Sequence, residues 1–494
     1  MNRIYRNISR CGLLLSIFIF WQFTASGASD QKALTLEEAL EIAMSNSPDI
    51  KRLELSLERS RELLNAQNAA LKSRFSLSLT PIDYSQQREF NTFFSTWNTN
   101  ETKRSTGRFT ISQPIPWTDG TLSLINRLSW QEAYSEYKDV TTKTFDNNLY
   151  LSFQQPLFTY NRTKLALREL ELDLENTSLN YAIQKLALER NVAQRFYAVY
   201  QNTMALQIAV EEYENQKTSH QIIKNKVDAG ISAMEELYQA ELNLATSRSN
   251  MENQQVALDN SLDSFKRLIG VSLFDEISVV ADISHRPVEI DLQKALDHGL
   301  NHRMELRQQK IQIENSQFEL IQTSAMNEFV GDITLTYGVI GTAERFSDIY
   351  EVPTQNPRFS VSLDIPLWDW GEKKSRIKAS EAVIKTNALS LEDEKNDVII
   401  AVRQVYRNLK NLVNQIEIAR QNERNAQLTY DINLERYRNG DLTSMDLSLF
   451  QNQLSQKKMG FVNALIDYKI ELLNMKIQSL WDFEENRSVV PVVN

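Results

Sequence analysis

A single cysteine, Cys11, occurs in 494 residues, and it lies within the first thirty. A chain that loses that segment has no thiol, which excludes disulfides, thiolate metal sites and cysteine nucleophiles together. Glycine and proline are scarce, at 13 and 10 residues, which favours long helices over a loop-rich enzyme. Of the 4 histidines, His298 and His302 stand at helical i, i+4 spacing, but Gly299 occupies the position where H-E-x-x-H needs its glutamate. His220 and His285 have no evident partners, and neither G-x-S-x-G nor G-x-x-x-x-G-K-[ST] occurs. No catalytic, cofactor-binding or metal-binding residue is therefore expected, and the protein does not read as an enzyme. The formal charge of −10 without a basic cluster argues against nucleic acid as a partner. Beyond the N-terminus no run of 18 apolar residues occurs, so a membrane could be entered only as a β-barrel.

The N-terminus itself carries Arg3, Arg6 and Arg10, then a short apolar core, then small residues at Ala25, Gly27 and Ala28. That order predicts a secretory signal peptide over 1–28.

What the chain does contain is written twice. LTLEEALEIAMSNSPDIKRLELSLERSRELL from Leu34 aligns without gaps to IDLQKALDHGLNHRMELRQQKIQIENSQFEL from Ile290. Two repeats follow, 29–281 and 282–494. In each, the helices give way to alternating strands: Phe75, Leu77 and Leu79 oppose Ser76, Ser78 and Thr80, as Ile333, Leu335 and Tyr337 stand out in GDITLTYGV. Returning strands end at Pro156 and Pro366, each followed by Leu and an aromatic. Trp368, Trp370, Phe158 and Tyr160 fit either an interfacial aromatic belt or packing at strand–helix junctions. The first repeat carries an insertion at 83–146, where RFTISQPI and TLSLINRLSW alternate around the turn-like PWTDG. It reads as an extra hairpin or, with more weight, as a folded external loop.

Neither glycine nor proline occurs from Arg162 to Ala229 or from Glu372 to Asn439. Each run makes a helix of about 100 Å at 1.5 Å per residue. Val398, Val402, Val405, Leu409, Leu412, Ile416, Ala419, Ala426, Tyr430 and Tyr437 keep a 4,3 spacing broken only by Glu423 and Asn433, and such a period specifies supercoiled helix packing. Each run stops at one glycine. Gly230 is placed to close a helix in the left-handed conformation, with Ser232 and Glu235 as an S-x-x-E cap for the next; Gly440, Thr443 and Asp446 repeat the device. Tips are expected at 229–233 and 439–443. The fold class is thus mainly α with a small β part, internally duplicated. A few strands per chain cannot enclose a channel, so closure needs several copies.

The paired patterns VDAGISAMEELYQA and YRNGDLTSMDL resemble the TolC-like outer membrane efflux family over essentially the whole mature chain. The resemblance implies a homotrimer with a 12-stranded β-barrel in the outer membrane of a Gram-negative cell and a long α-helical barrel across the periplasm. Its role would be the exit duct of tripartite efflux or type I secretion. The partners implied are a periplasmic adaptor protein, an inner-membrane transporter of RND, ABC or MFS type, and outer membrane lipid. Carried over by position, Gly230, Ile231, Ser232, Gly440, Asp441, Leu442 and Thr443 form adaptor-docking tips, and Tyr437, Asp446 and Glu236 the periplasmic aperture. Where some members carry a second aspartate this chain has Leu449, and Leu442 replaces a basic residue, so an ionic lock is in question. Asp446 suits a carboxylate ring or a helix cap equally. A secreted coiled-coil fibre or adhesin would explain the heptads, but not the repeated amphipathic strands and matched tips.

Overall fold

The computed structural model describes residues 32–284 and 286–491. The predicted leader, Cys11 and His285 lie outside the described residues.

The elements run β1 (Lys32–Leu34), α1 (Leu36–Asn46), α2 (Pro48–Ala70), β2 (Arg74–Asn91), β3 (Thr96–Ile115), β4 (Gly120–Ser135), β5 (Val140–Leu157), α3 (Arg162–Asp228) and α4 (Met234–Ile269). They continue with β6 (Ile277–Val279), α5 (Leu292–His302), α6 (Met304–Ser324), β7 (Val330–Ala343), a single 3-10 turn at Ser347–Tyr350, β8 (Thr354–Gln355) and β9 (Arg358–Asp364). The last are α7 (Glu372–Asn439), α8 (Ser444–Ser479) and the short pair β10 (Trp481–Asp482) and β11 (Arg487–Ser488). No helix among the described residues is long and apolar enough to cross a membrane.

The two glycine- and proline-free runs are single helices of 67 and 68 residues, α3 and α7, each returning through a 36-residue partner, α4 and α8. The 4,3 stripe of α7 is its packed face: Val398, Val402, Val405, Leu409, Ile416, Ala426, Tyr430 and Tyr437 are buried. Each valine, leucine and isoleucine among them contributes roughly 1.5–3 kcal/mol on burial. Asn433 is buried too, and its amide donates to the Thr429 carbonyl at 2.8 Å, so this polar interruption is satisfied within its own helix. The apolar core is a chain of clusters along the rod. One, around Phe196, Phe265 and Ile269, is padded by α1 and by the parallel pair β1–β6.

Arg307 of α6 reaches α3, donating from Nη2 to Glu175 at 2.8 Å and from Nη1 to Glu314 at 2.9 Å. Hydrogen bonding to Arg307 holds the Glu175 carboxyl below its ordinary value of 4.5. A depressed carboxyl pKa stabilises the fold above the unfolded value and stops doing so as pH falls through the folded one. Arg307→Met is therefore expected to cost about 1 kcal/mol at pH 7, the pair being half-exposed, and progressively less as pH falls below 4.5 and through the lowered Glu175 value. Thermal melts of both proteins across this pH range check this.

The strands form one antiparallel sheet, ordered β2-β3-β4-β5-β7, with β8 and β9 both on β7. This corrects the reading of 83–146 as an external loop. β3 and β4 are strands of 20 and 16 residues in register with β2 and β5 along most of their length. The β3–β4 turn is also anchored: Asn161 donates its amide to the Pro116 carbonyl at 2.6 Å, and Asp119 accepts from the Thr163 backbone at 3.1 Å. Pairing on both sides satisfies the hairpin's backbone groups, which a free loop would leave to solvent.

Register sorts the side chains by face. Ile111, Leu124, Leu151 and Tyr337 share one face with Phe75, while Ser112, Ser123, Ser152 and Thr336 share the other with Arg74. The first face stays exposed along Phe75, Leu77, Leu79, Phe109, Leu151, Leu335, Phe359 and Leu363. An uncovered apolar surface of this extent marks a contact with something apolar.

Candidate functional site

The rod's far end is built from two turns of one geometry. In the first, Ala229 ends the helix, Gly230 takes φ +74°, and the amides of Ile231 and Gly230 donate to the carbonyls of Lys226 (2.8 Å) and Val227 (2.9 Å). In the second, Gly440 takes φ +92°, and the amides of Asp441 and Gly440 donate to Arg436 (2.9 Å) and Tyr437 (3.1 Å). This is the Schellman arrangement, whose left-handed residue favours glycine.

The helices that follow differ. Thr443 caps α8, its hydroxyl accepting from the Asp446 amide at 3.2 Å and donating to the Asp446 carboxylate at 2.7 Å. Asp446 is thus an exposed cap partner. Ser232 is not the cap of α4: Ala233 holds that position, without a side-chain hydrogen bond, one residue later than S-x-x-E predicted. The Ser232 amide is already committed to Lys226 at 3.3 Å, which keeps Ser232 in the turn.

Tyr437 lies fully buried inside the hairpin pair. Its hydroxyl accepts from Ser219 Oγ at 2.9 Å and donates to the Ser219 carbonyl at 3.2 Å, joining α7 to α3. Burial raises its pKa, and the nearby Glu236 adds to the shift. Lys226 completes the junction. Its ammonium donates to the Tyr437 carbonyl at 2.9 Å and lies 5.2 Å from the Tyr437 ring centre, while its own carbonyl closes the first tip. A cation at the last carbonyls of α7 also complements the helix dipole. Sequence reasoning missed Lys226 and Ser219. A basic residue in the last turn of α3 was visible, but its partner is 211 positions away. Lys226→Met is expected to cost about 1–2 kcal/mol locally. Hydrogen exchange at 222–232 and 434–442 should then accelerate together, and not in the rest of the rod.

Outside the junction, Ile231, Met234, Tyr238 and Leu242 are exposed on the first hairpin, and Met445 and Leu449 on the second. The i, i+4, i+8 spacing of 234, 238 and 242 puts three of them on one helix face. Asp441 and Thr443 are exposed and Leu442 and Glu236 half-buried. At the sheet end of the rod, Trp117, Phe158, Trp368 and Trp370 are exposed, with Phe158 against Phe329 at 4.9 Å. His298 and His302 stack at 4.2 Å, their Nδ1 atoms against the carbonyls of Ser479 (2.9 Å) and His298 (3.0 Å). No group of three metal-ligating side chains occurs among the described residues.

A family model described as outer membrane efflux protein matches residues 121–271 and 295–476, more than half of the chain. The fusaric acid resistance protein FusA of Burkholderia cepacia is 20% identical over 296 residues, covering 58% of this chain and 54% of that relative. The chain thus matches about half the length of this curated relative. Among solved structures, the CmeC outer membrane channel of Campylobacter jejuni superposes with a TM-score of 0.68 at 14% identity, over 93% of this chain and 87% of that one. The MtrE outer membrane channel of Neisseria gonorrhoeae, in its open state, gives 0.64 at 12% identity, over 92% and 90%. Such low identities establish the fold alone.

Proposed function

This chain belongs to the outer membrane efflux protein family, and on that premise we propose that it is the exit duct of a tripartite efflux or type I secretion system. Three copies close the duct. The observation that carries this reading is the sheet: one face is exposed and apolar, the other rich in hydroxyls, and the edge strands β2 and β9 each have one partner. A lipid-facing wall around water needs those two faces, and a ring of copies removes the two edges. β2 and β9 run antiparallel across six strands, so neighbouring copies can pair as the sheet itself does. Six strands per chain, β2, β3, β4, β5, β7 and the shorter β9, make an 18-stranded barrel, against the 12 expected from the family resemblance. Trp117, Phe158, Trp368 and Trp370 then supply the aromatic girdle at the periplasmic side.

The two repeats, 29–281 and 282–494, give each copy two long helical hairpins, and three copies make the α-helical barrel across the periplasm. Gly230 to Ser232 and Gly440 to Thr443 meet a periplasmic adaptor, with Met234, Tyr238 and Met445 as apolar contacts beside them. Tyr437, Glu236 and Asp446 sit where the aperture closes, and the Lys226–Tyr437 junction holds each chain's hairpins together there. The duct is passive. An inner-membrane transporter of RND, ABC or MFS type supplies the energy, and the cargo is what that transporter delivers; the FusA likeness makes fusaric acid one compound to try first.

The test uses the missing cysteine. A single cysteine at Ser232 or Thr443, treated in living cells with a short bifunctional crosslinker, should capture a periplasmic adaptor identifiable by mass spectrometry. Outer membrane protein that captures nothing from either position would remove the docking role and favour a coiled-coil surface fibre.

A further inference from the structure

The face opposite the apolar one carries four arginines that form no ion pair among the described residues. Arg108 of β3 and Arg127 of β4 are direct cross-strand partners, in a row with Ser78, Asn148 and Ile340 that contains no carboxylate. Arg74 and Arg358 lie on this same face, in the row of Ser112, Ser123, Ser152 and Thr336. Among the described residues, none of these four arginines forms an ion pair or hydrogen bond, and all four are exposed. No acidic side chain on that face is a direct cross-strand partner of these four: Asp83 opposes Arg104, Glu89 lies near the β2–β3 turn, Asp146, diagonal to Arg127, accepts from the Thr342 hydroxyl at 2.8 Å, and Asp332 and Asp364 lie nearer the helical end.

Like charges directly opposite in a sheet are destabilising, and this sheet neutralises its cations elsewhere. On the other face Glu132 takes both Lys103 (3.4 Å) and Lys143 (3.3 Å). The whole chain is acidic, at −10, so unopposed arginines in one wall are not a reflection of composition.

We propose that Arg108 and Arg127, with Arg74 and Arg358, form a cationic belt on the lumen wall of the barrel that binds and favours polyvalent anions, carboxylates or phosphates, on their way out. The inference rests on the reading of the hydroxyl-rich face as the lumen. Closing the ring sets β9 of one copy beside β2 of the next, and three copies repeat the arginine set around the wall. Side chains in a lumen stay solvated, so the arginines keep their charge without the cost they would meet on the lipid face. A ring of one sign raises the local concentration of its counterions, here solutes bearing two or more negative charges.

The full-length protein in planar bilayers provides the test, with citrate added from the extracellular side. The wild type should show reversible block that deepens with citrate concentration. Arg108→Ser with Arg127→Ser should weaken that block at least about threefold, and Arg108→Lys with Arg127→Lys should keep most of it because the charge remains. A wild-type channel that conducts but ignores citrate, or a serine variant blocked as strongly as wild type, overturns the belt and leaves the duct standing. Protein that inserts and never conducts overturns the duct reading, and the belt with it.

Discussion

Removing residues 96–139 is expected to yield a trimer whose membrane barrel is narrower by about one third, because diameter grows roughly linearly with strand number and the count falls from 18 to 12. The cut takes out β3, β4 and their distal turn, and joins the turn after β2 directly to β5. Direction survives: β2 and β5 are antiparallel in the new sheet, as each is to its present neighbour. The faces survive as well. Counting from the shared turn, Leu79 comes to oppose Leu151 and Leu77 to oppose Phe153, so apolar side chains still meet on the lipid side and no strand is turned inside out. The loss of the Pro116 and Asp119 contacts to Asn161 and Thr163 costs about 2–3 kcal/mol at the start of α3, which the length of that helix tolerates. Projection images of the trimer in lipid nanodiscs measure the diameter. An unchanged diameter would mean that the hairpin folds outside the wall.

The second large effect belongs to the tips. Gly230→Val with Gly440→Val should abolish adaptor capture from the tip cysteines, by tenfold or more, while the rest of the rod keeps its helix content. Space is not the obstacle, since a Cβ at either glycine meets nothing within 4 Å. Conformation is. With φ of +74° and +92°, a β-branched residue pays about 1–2 kcal/mol or more at each site, and every 1.4 kcal/mol is a factor of ten in the population of the native turn. Once the turn opens, the carbonyls of Lys226 and Arg436 lose their amides and the Lys226–Tyr437 junction frays. Gly230→Asn with Gly440→Asn is the control, because asparagine visits the left-handed region and should retain most of the capture. Equal loss in both variants would assign the effect to chemistry at the tip surface instead of turn geometry.

The parts of this architecture governed by local rules were legible in the sequence. Arg162 and Glu372 start the long helices and Asn439 ends the second, because a run without glycine or proline leaves the backbone one regular solution and a single glycine ends it. The stripe from Val398 to Tyr437 gave the packed face for the same reason. Ser232 was misplaced by one residue, since a capping box is a side-chain pattern and the bond from the Ser232 amide to the Lys226 carbonyl keeps that residue in the turn. The hairpin at 83–146 was underrated because ETKRSTGRF is polar in its outer half, and only pairing with β2 and β4 makes a strand of it. What lay wholly beyond sequence reasoning were juxtapositions across the chain: Lys226 on Tyr437, and Arg108 facing Arg127. The latter follows only from a register, and a slip of one residue in either strand would turn its arginine to the apolar face.

The account stands on three chains meeting edge to edge, and disulfide trapping reports that contact directly. With Cys11 replaced by serine, one cysteine among residues 74–80 of β2 and one among residues 358–364 of β9 make a panel of pairs; those in register should oxidise in the membrane. The predicted result is a ladder of covalent monomer, dimer and trimer that stops at the trimer and collapses on reduction. A panel with no crosslink at any pair, or a ladder that runs past three, would contradict it.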